Sequence, residues 1–301
     1  MIRRLLFLSC RLLAALPLRH LHLLGGILGS LSFYLLPKDR AVIRDNLLTA
    51  GLNADNAAVK AVLRETAKGG LELPVAFFRQ PEEIEKLFAA VHGWRHIEDA
   101  LAAGDGLLLI TPHLGSYDLA GRYISQRLPF PLTAMYKPPK NKILDEIMQA
   151  GRVRGKGRTA PANIQGVKQI MKALMAGEAT IVLPDHVPDP GEGGDGVWAD
   201  FFGRPAYTMT LAGKLARIKG VRTLFFCGER LPQGQGFVLH IAPLKGSLNG
   251  DKKHDAETFN RNTEEWIRRF PQQYLFAYNR YKQPAGAPDR PSDNAPPSRD
   301  R

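Results

Sequence analysis

From about residue 88, short apolar runs alternate with longer amphipathic stretches. Residues 107–110 are wholly apolar, the pattern of a strand buried in a sheet with both faces covered. Residues 132–136, 180–183, 221–227 and 237–241 read as further strands. Helical spacing falls between them at about 119–127, 143–153, 167–175, 209–219 and 256–269. That alternation predicts an α/β fold, a mostly parallel central sheet flanked by helices. Upstream, Val42, Leu47 and Leu48 alternate with Lys38, Arg40, Arg44 and Asp45 at helical spacing. A second helix is expected from the candidate N-cap Asp55 through Val59, Val62 and Leu63 to Gly69-Gly70, followed by an apolar run at 71–78 that contains Pro74. No internal repeat is visible.

Residues 1–37 follow a different pattern. Arg3 and Arg4 precede an apolar run interrupted by Arg11 and Arg19, and the uncharged stretch 23–37 is 15 residues long. A perpendicular span needs about 20 apolar residues, and no small-residue cleavage site follows a compact apolar core. Arginines spaced along a leucine-rich helix instead predict an N-terminal membrane-anchoring helix in the interface, although snorkelling would also let it span. A buried core helix is the plainer alternative. The expected organisation is an anchor at 1–37, the α/β domain at 38–282, and a disordered tail at 283–301, rich in Pro, Asp, Arg and Ser.

The chain has 301 residues and a net charge of +12, which favours anionic partners: nucleic acid, an anionic bilayer or a phosphorylated substrate. Cys10 and Cys227 imply no disulfide framework.

Chemistry concentrates in Thr111-Pro112-His113-Leu114-Gly115-Ser116-Tyr117-Asp118, directly after the apolar run. Sites in α/β sheets gather at the carboxyl ends of strands. Gly115 and Ser116 predict a turn, with Ser116 capping a helix whose first turn carries Asp118. Such a bend can return the carboxylate to the imidazole, fix its tautomer and leave the other nitrogen as a base. The bland alternative makes His113 a polar turn residue and Asp118 a helix-start charge.

The segment resembles the His-x4-Asp/Glu motif of the lysophospholipid and glycerolipid acyltransferases. The whole chain, up to about Lys282, is similar to the late lauroyl acyltransferases of lipid A biosynthesis. The likeness includes residues 37–47, the block Tyr136-Lys137-Pro138-Pro139-Lys140-Asn141, Leu183-Pro184-Asp185, and Asp200-Phe201-Phe202-Gly203-Arg204-Pro205-Ala206-Tyr207-Thr208. Aspartate stands at 118 where many members of this branch have glutamate. Lys137 replaces a frequent arginine, keeping charge but losing the bidentate fork. His186 stands where glutamine often follows the turn.

The resemblance implies transfer of a fatty acyl chain, lauroyl by likeness, from acyl carrier protein to a hydroxyl of an anionic lipid A precursor. His113 would be the base, Asp118 its partner, and Lys137, Asn141, Arg152, Arg154 and Asp185 would position substrate. It also implies a place at the bacterial inner membrane, with the catalytic domain on the cytoplasmic side. Residues 137–158 carry Lys137, Lys140, Lys142, Arg152, Arg154, Lys156 and Arg158 against Asp145 and Glu146. That charge suits a phosphorylated lipid, while a solvated helix face with a basic loop is the plainer account. No aromatics are interleaved with these cations, so nucleic acid is not an expected partner. Gly191-Glu192-Gly193-Gly194-Asp195-Gly196 is read as a mobile loop beside the site. Trp198, Phe201 and Phe202, which follow it, would line a lipid passage or simply pack the core. His113, His186, Asp118 and Asp185 have poor spacing for metal ligands, and neither metal nor cofactor is expected. Two other functions stay open: acyl transfer to a lysophospholipid or other glycolipid, and non-catalytic binding of anionic lipid at a membrane surface.

Overall fold

The computed structural model describes residues 2–136 and 141–291. Five helices come first: α1 (Ile2–Ala15), α2 (Leu18–Leu35), α3 (Pro37–Thr49), α4 (Asn56–Phe78) and α5 (Pro81–Glu85). An alternating region follows, with β1 (Phe88–His92), α6 (Arg95–Ala103), β2 (Gly106–Ile110), α7 (Tyr117–Arg127), β3 (Leu132–Tyr136), α8 (Lys142–Arg152), β4 (Gly157–Pro161), α9 (Ile164–Met175) and β5 (Ala179–Val182). The chain continues through β6 (Gly196–Phe201), β7 (Arg204–Met209), α10 (Leu211–Ala216), β8 (Val221–Arg230), β9 (Phe237–Pro243) and α11 (Lys252–Arg269).

The main sheet has the order β1-β9-β8-β2-β5-β3-β4. Every neighbouring pair is parallel except β8–β9. All residues of β2 are buried. Leu107 and Leu109 pack on one face with α6 and α7, through Ile97, Ala120 and Ile124. Leu108 and Ile110 pack on the other with α9 and α11, through Ile170, Leu174 and Phe259. The unbroken apolar run is explained by this double coverage.

Three expectations change. Residues 1–37 form two helices, not one: Pro17 separates α1 from α2, the pair is bent by 116°, and no single described helix is long and apolar enough to cross a membrane. Gly69-Gly70 does not end α4, which runs on through Pro74 to Phe78, because packing outweighs local propensity. Residues 196–209 form an antiparallel hairpin, β6–β7, so the helix expected from 209 starts later. In it Trp198 and Phe201 are buried, and Asp195 is held by Thr210 and Lys214, both at 2.7 Å.

Helix α2 presents two faces. Gly25 and Gly29 lie against the Lys68 and Arg64 backbone of α4, where a Cβ would overlap main-chain atoms. The opposite face exposes Leu23, Ile27, Leu28, Leu31 and Leu35, with Leu35 at 74%. Downstream, the Trp198 Nε1 donates to the Pro288 carbonyl at 2.8 Å, and the Arg290 guanidinium lies over the Trp198 ring. The expected tail thus meets the hairpin as far as it is described. Residues 292–301 lie outside the described residues.

Candidate active site

β2 and β5 are parallel neighbours, with Ile110 beside Val182. The Thr111 N–H donates to the Val182 carbonyl at 3.2 Å, extending the ladder by one step. His113 and Asp185 each lie three residues past the Ile110–Val182 pair, so two loops leave the sheet side by side. The His113 N–H donates to Asp185 Oδ2 at 2.9 Å, and the ring Nδ1 lies 3.1 Å from Oδ1. Asp185 is buried, whereas the His113 side chain keeps 22% exposure.

Hydrogen bonds on both sides hold the turn after His113. The Leu275 N–H donates to the His113 carbonyl at 3.0 Å, Gly115 N–H to the Gln273 carbonyl at 3.0 Å, and Ser116 N–H to the Gly228 carbonyl at 2.7 Å. Gly115 has φ +62, and a Cβ there would strike the Gly228 carbonyl. Ser116 occupies the N-cap position of α7 but makes no side-chain cap bond.

Asp118 sits in the first turn of α7, as expected, and lines the same cavity as His113. No hydrogen bond joins it to the imidazole among the described residues. The carboxylate that bonds the ring is Asp185, a correction to the expected pairing. Strand register places Asp185 against Nδ1, while Asp118 starts a separate helix. Its hydroxyl neighbour is Tyr117, whose ring meets the His113 ring edge-on at 5.2 Å.

The cavity has a volume of about 230 Å³. His113, Tyr117 and Asp118 form one wall; Glu65, Gly69, Gly70, Glu72 and Leu73 of α4 form the other. Behind α4, Arg230 reaches Glu72 through two bonds, Nε to Oε1 at 2.5 Å and Nη2 to Oε2 at 2.7 Å, and Glu65 at 2.9 Å. His22 of α2 meets Glu72 at 2.7 Å, and Lys68 meets Glu65.

Charge states follow from these contacts. Burial disfavours imidazolium, but the adjacent Asp185 and then Asp118 outweigh it, and His113 titrates above its ordinary range. Burial alone would raise Asp185; His113, its hydrogen bonds and the Arg280 field hold it low. Asp118 is raised, chiefly by burial, with Arg152 and His113 offsetting part of the shift. Glu72 is held down to about 2 because Arg230 and His22 overcome its burial.

The expected substrate-positioning residues divide. Asp185 holds His113. Arg152 lies over the Tyr136 ring at 4.9 Å, and its field reaches Asp118. Arg154 is instead tied to the end of α4, donating to the Phe77 carbonyl at 2.7 Å and the Arg79 carbonyl at 3.2 Å. Asn141 Oδ1 accepts the Ile143 N–H at 3.0 Å at the start of α8. Lys137 lies outside the described residues. Trp198 and Phe201, weighed as a lipid passage, belong to packing away from the cavity. Sequence reasoning missed Glu72 and Arg230. One signal was available: Glu65 and Glu72 lie seven residues apart on one face of α4, with Lys68 between them on the same face.

A family model for bacterial lipid A biosynthesis acyltransferases matches residues 3–283. The chain is 28% identical to the lipid A biosynthesis lauroyltransferase of Escherichia coli K12, over 93% of this chain and 91% of the relative. It is 27% identical to the palmitoleoyltransferase of the same strain, over 89% and 86%. Against a lipid A biosynthesis acyltransferase of Haemophilus influenzae it is 30% identical, over 61% of this chain and 56% of the relative. A histidine gripped by a carboxylate at the carboxyl edge of a parallel sheet, in a chain matched almost end to end, makes this protein an acyltransferase that belongs to the bacterial lipid A biosynthesis acyltransferase family.

Proposed function

We propose that this enzyme moves a fatty acyl chain, lauroyl by likeness to the Escherichia coli lauroyltransferase, from acyl carrier protein to a hydroxyl of an anionic lipid A precursor. The observation that carries the reading is His113, partly exposed in a cavity at the carboxyl edge of the sheet, its Nδ1 held by a buried carboxylate. With Nδ1 protonated, Nε2 keeps its lone pair and takes the acceptor O–H proton as that oxygen attacks the thioester carbonyl carbon. When the tetrahedral intermediate collapses, the C–S bond breaks and the imidazolium returns the proton to the leaving thiolate. Asp118 stabilises the transient imidazolium from the same cavity.

The His113, Leu114, Gly115 and Ser116 N–H groups are all engaged elsewhere. The first N–H groups of α7, which lack intrahelical acceptors, remain as donors to the oxyanion. Arg152 supplies positive charge beside Asp118 and attracts the phosphorylated acceptor.

The exposed leucines of α2 support attachment to the bacterial inner membrane, with the catalytic domain on its cytoplasmic side. Helix α4 carries α2 on one face and lines the cavity with another. A bilayer-bound acceptor therefore has a short path to His113.

The test is acyl transfer in membranes, with lauroyl-acyl carrier protein as donor and a lipid A precursor or a lysophospholipid as acceptor. His113→Ala should abolish transfer, and only the lipid A precursor should be acylated. Near-normal rates in the variant end the mechanism, and preference for the lysophospholipid changes the acceptor.

A further inference from the structure

We propose that Asp185 is the positioning carboxylate of the transfer site, and that the buried Arg280 holds it in that role. This rests on the reading of His113 as the base. Both oxygens of Asp185 bond one residue, Oδ2 the His113 main chain at 2.9 Å and Oδ1 its ring at 3.1 Å, and the Tyr274 hydroxyl also meets this carboxylate. One grip on His113 fixes where the residue sits and the other fixes how its ring turns. A carboxylate at Nδ1 requires the proton there, which leaves Nε2 as the basic nitrogen. The arrangement is built into the sheet, because parallel register between β2 and β5 delivers both residues to the same edge.

Arg280 completes the arrangement. Its side chain is 1% exposed, yet among the described residues it bonds only uncharged acceptors: the Tyr207 carbonyl at 2.9 Å, Thr208 Oγ1 at 2.7 Å and Asn260 Oδ1 at 3.4 Å. Its Nε has no partner among them. A guanidinium removed from water needs a counter-charge. Asp185 is the buried anion whose field it shares, with the Tyr274 hydroxyl beside both. Because Arg280 acts from a distance, it offsets the charge of Asp185 without competing for its oxygens. A contact salt bridge would have taken one of them from His113.

The role separates from that of Asp118. Asn at 185 has a single accepting oxygen, so if that oxygen keeps the His113 main-chain N–H, an NH2 donor faces Nδ1 and drives the ring proton to Nε2. Asn at 118 leaves both grips of Asp185 intact.

The test uses the full chain in detergent with 15N-labelled histidine, the His113 signals being assigned by difference from His113→Gln. The same preparations are assayed with lauroyl-acyl carrier protein and lipid A precursor. Wild type and Asp118→Asn should show protonated Nδ1 and unprotonated Nε2. Asp185→Asn should lose that preference, lower kcat at least about a hundredfold with little change in KM, and move the acidic limb of the pH profile to lower pH. Arg280→Met should lower kcat about tenfold or more, with Arg280→Lys recovering part of it. Wild-type tautomer and kcat in Asp185→Asn would overturn the proposal. If Arg280→Met does not fold, Asp185→Asn alone decides. A fully active His113→Ala would instead remove the base reading, while the tautomer spectrum still reports on the grip of Asp185.

Discussion

The two walls of the cavity hold carboxylates in opposite electrostatic circumstances. On the α4 wall, Glu72 receives two bonds from Arg230 and one contact from His22, and Glu65 shares Arg230 with Lys68. Charge is balanced there at contact distance, and Glu72 is locked in its ionised form. On the sheet-edge wall, Asp185 is balanced by a partly exposed histidine and a more distant Arg280, and Asp118 has no contact cation among the described residues. Fully paired charges hold helices in place, whereas under-compensated ones stay able to exchange a proton. The same residue types therefore build a fully paired cluster on one side and an under-compensated one on the other.

This contrast can be broken most sharply by one substitution on each wall. His113→Gln should abolish transfer and leave thermal unfolding near wild type. Arg230→Met should cost about 3–5 kcal/mol by stranding Glu72 and Glu65, seen as a large fall in Tm. Equal effects on stability would erase the distinction. Asp118→Asn should cost about a hundredfold in kcat with little change in Tm.

Acid should separate the walls next. His113 titrates above its ordinary value of about 6.5, so transfer should fail first, on an acidic limb above that pH. The folded-state value of Glu72 is depressed from 4.5 to about 2, so its contribution is full above 4.5 and is lost as pH falls toward 2. Activity against pH, compared with denaturant unfolding against pH, checks the order. Arg152→Ala should raise KM for the anionic acceptor about tenfold, roughly the worth of one charge-assisted contact. Arg154→Ala should leave KM unchanged and cost about 1–2 kcal/mol, because its bonds go to the end of α4. The smallest effect belongs to Gly70, where a Cβ meets nothing within 4 Å. Gly70→Ala should stabilise α4 by about 0.5–1 kcal/mol while slowing transfer a few-fold, because the methyl enters the cavity.

Legibility in the sequence tracked how local each determinant is. The wholly apolar β2 and the turn after it were readable because burial on both faces and a glycine at φ +62 leave direct marks on residue type. The hairpin β6–β7 was not, because its glycine-rich approach reads as loop until Asp195 is seen pinned by Lys214. The continuation of α4 through Gly69, Gly70 and Pro74 was hidden too, since helix-breaking residues are tolerated where neighbouring elements pack against the helix.

His113 and Asp118 were read as candidate chemistry from their place after a buried strand, five residues apart, and the two line one cavity. Their relation to each other was not decided at that level. The partner of the ring lies 72 residues away, on a strand whose adjacency to β2 exists only in the assembled sheet. Arg152 and Arg154 differ by two positions and not at all in residue type, yet one lies over the Tyr136 ring and the other binds main chain. The sequence by itself determined the α/β alternation, the basic surplus, the apolar and arginine-bearing character of the N-terminal segment and the place of His113 after a buried strand, all consequences of local composition and period. Tertiary structure alone decided which carboxylate orients that histidine and which cations are spent on structure, because hydrogen bonds between distant segments depend on strand order and register.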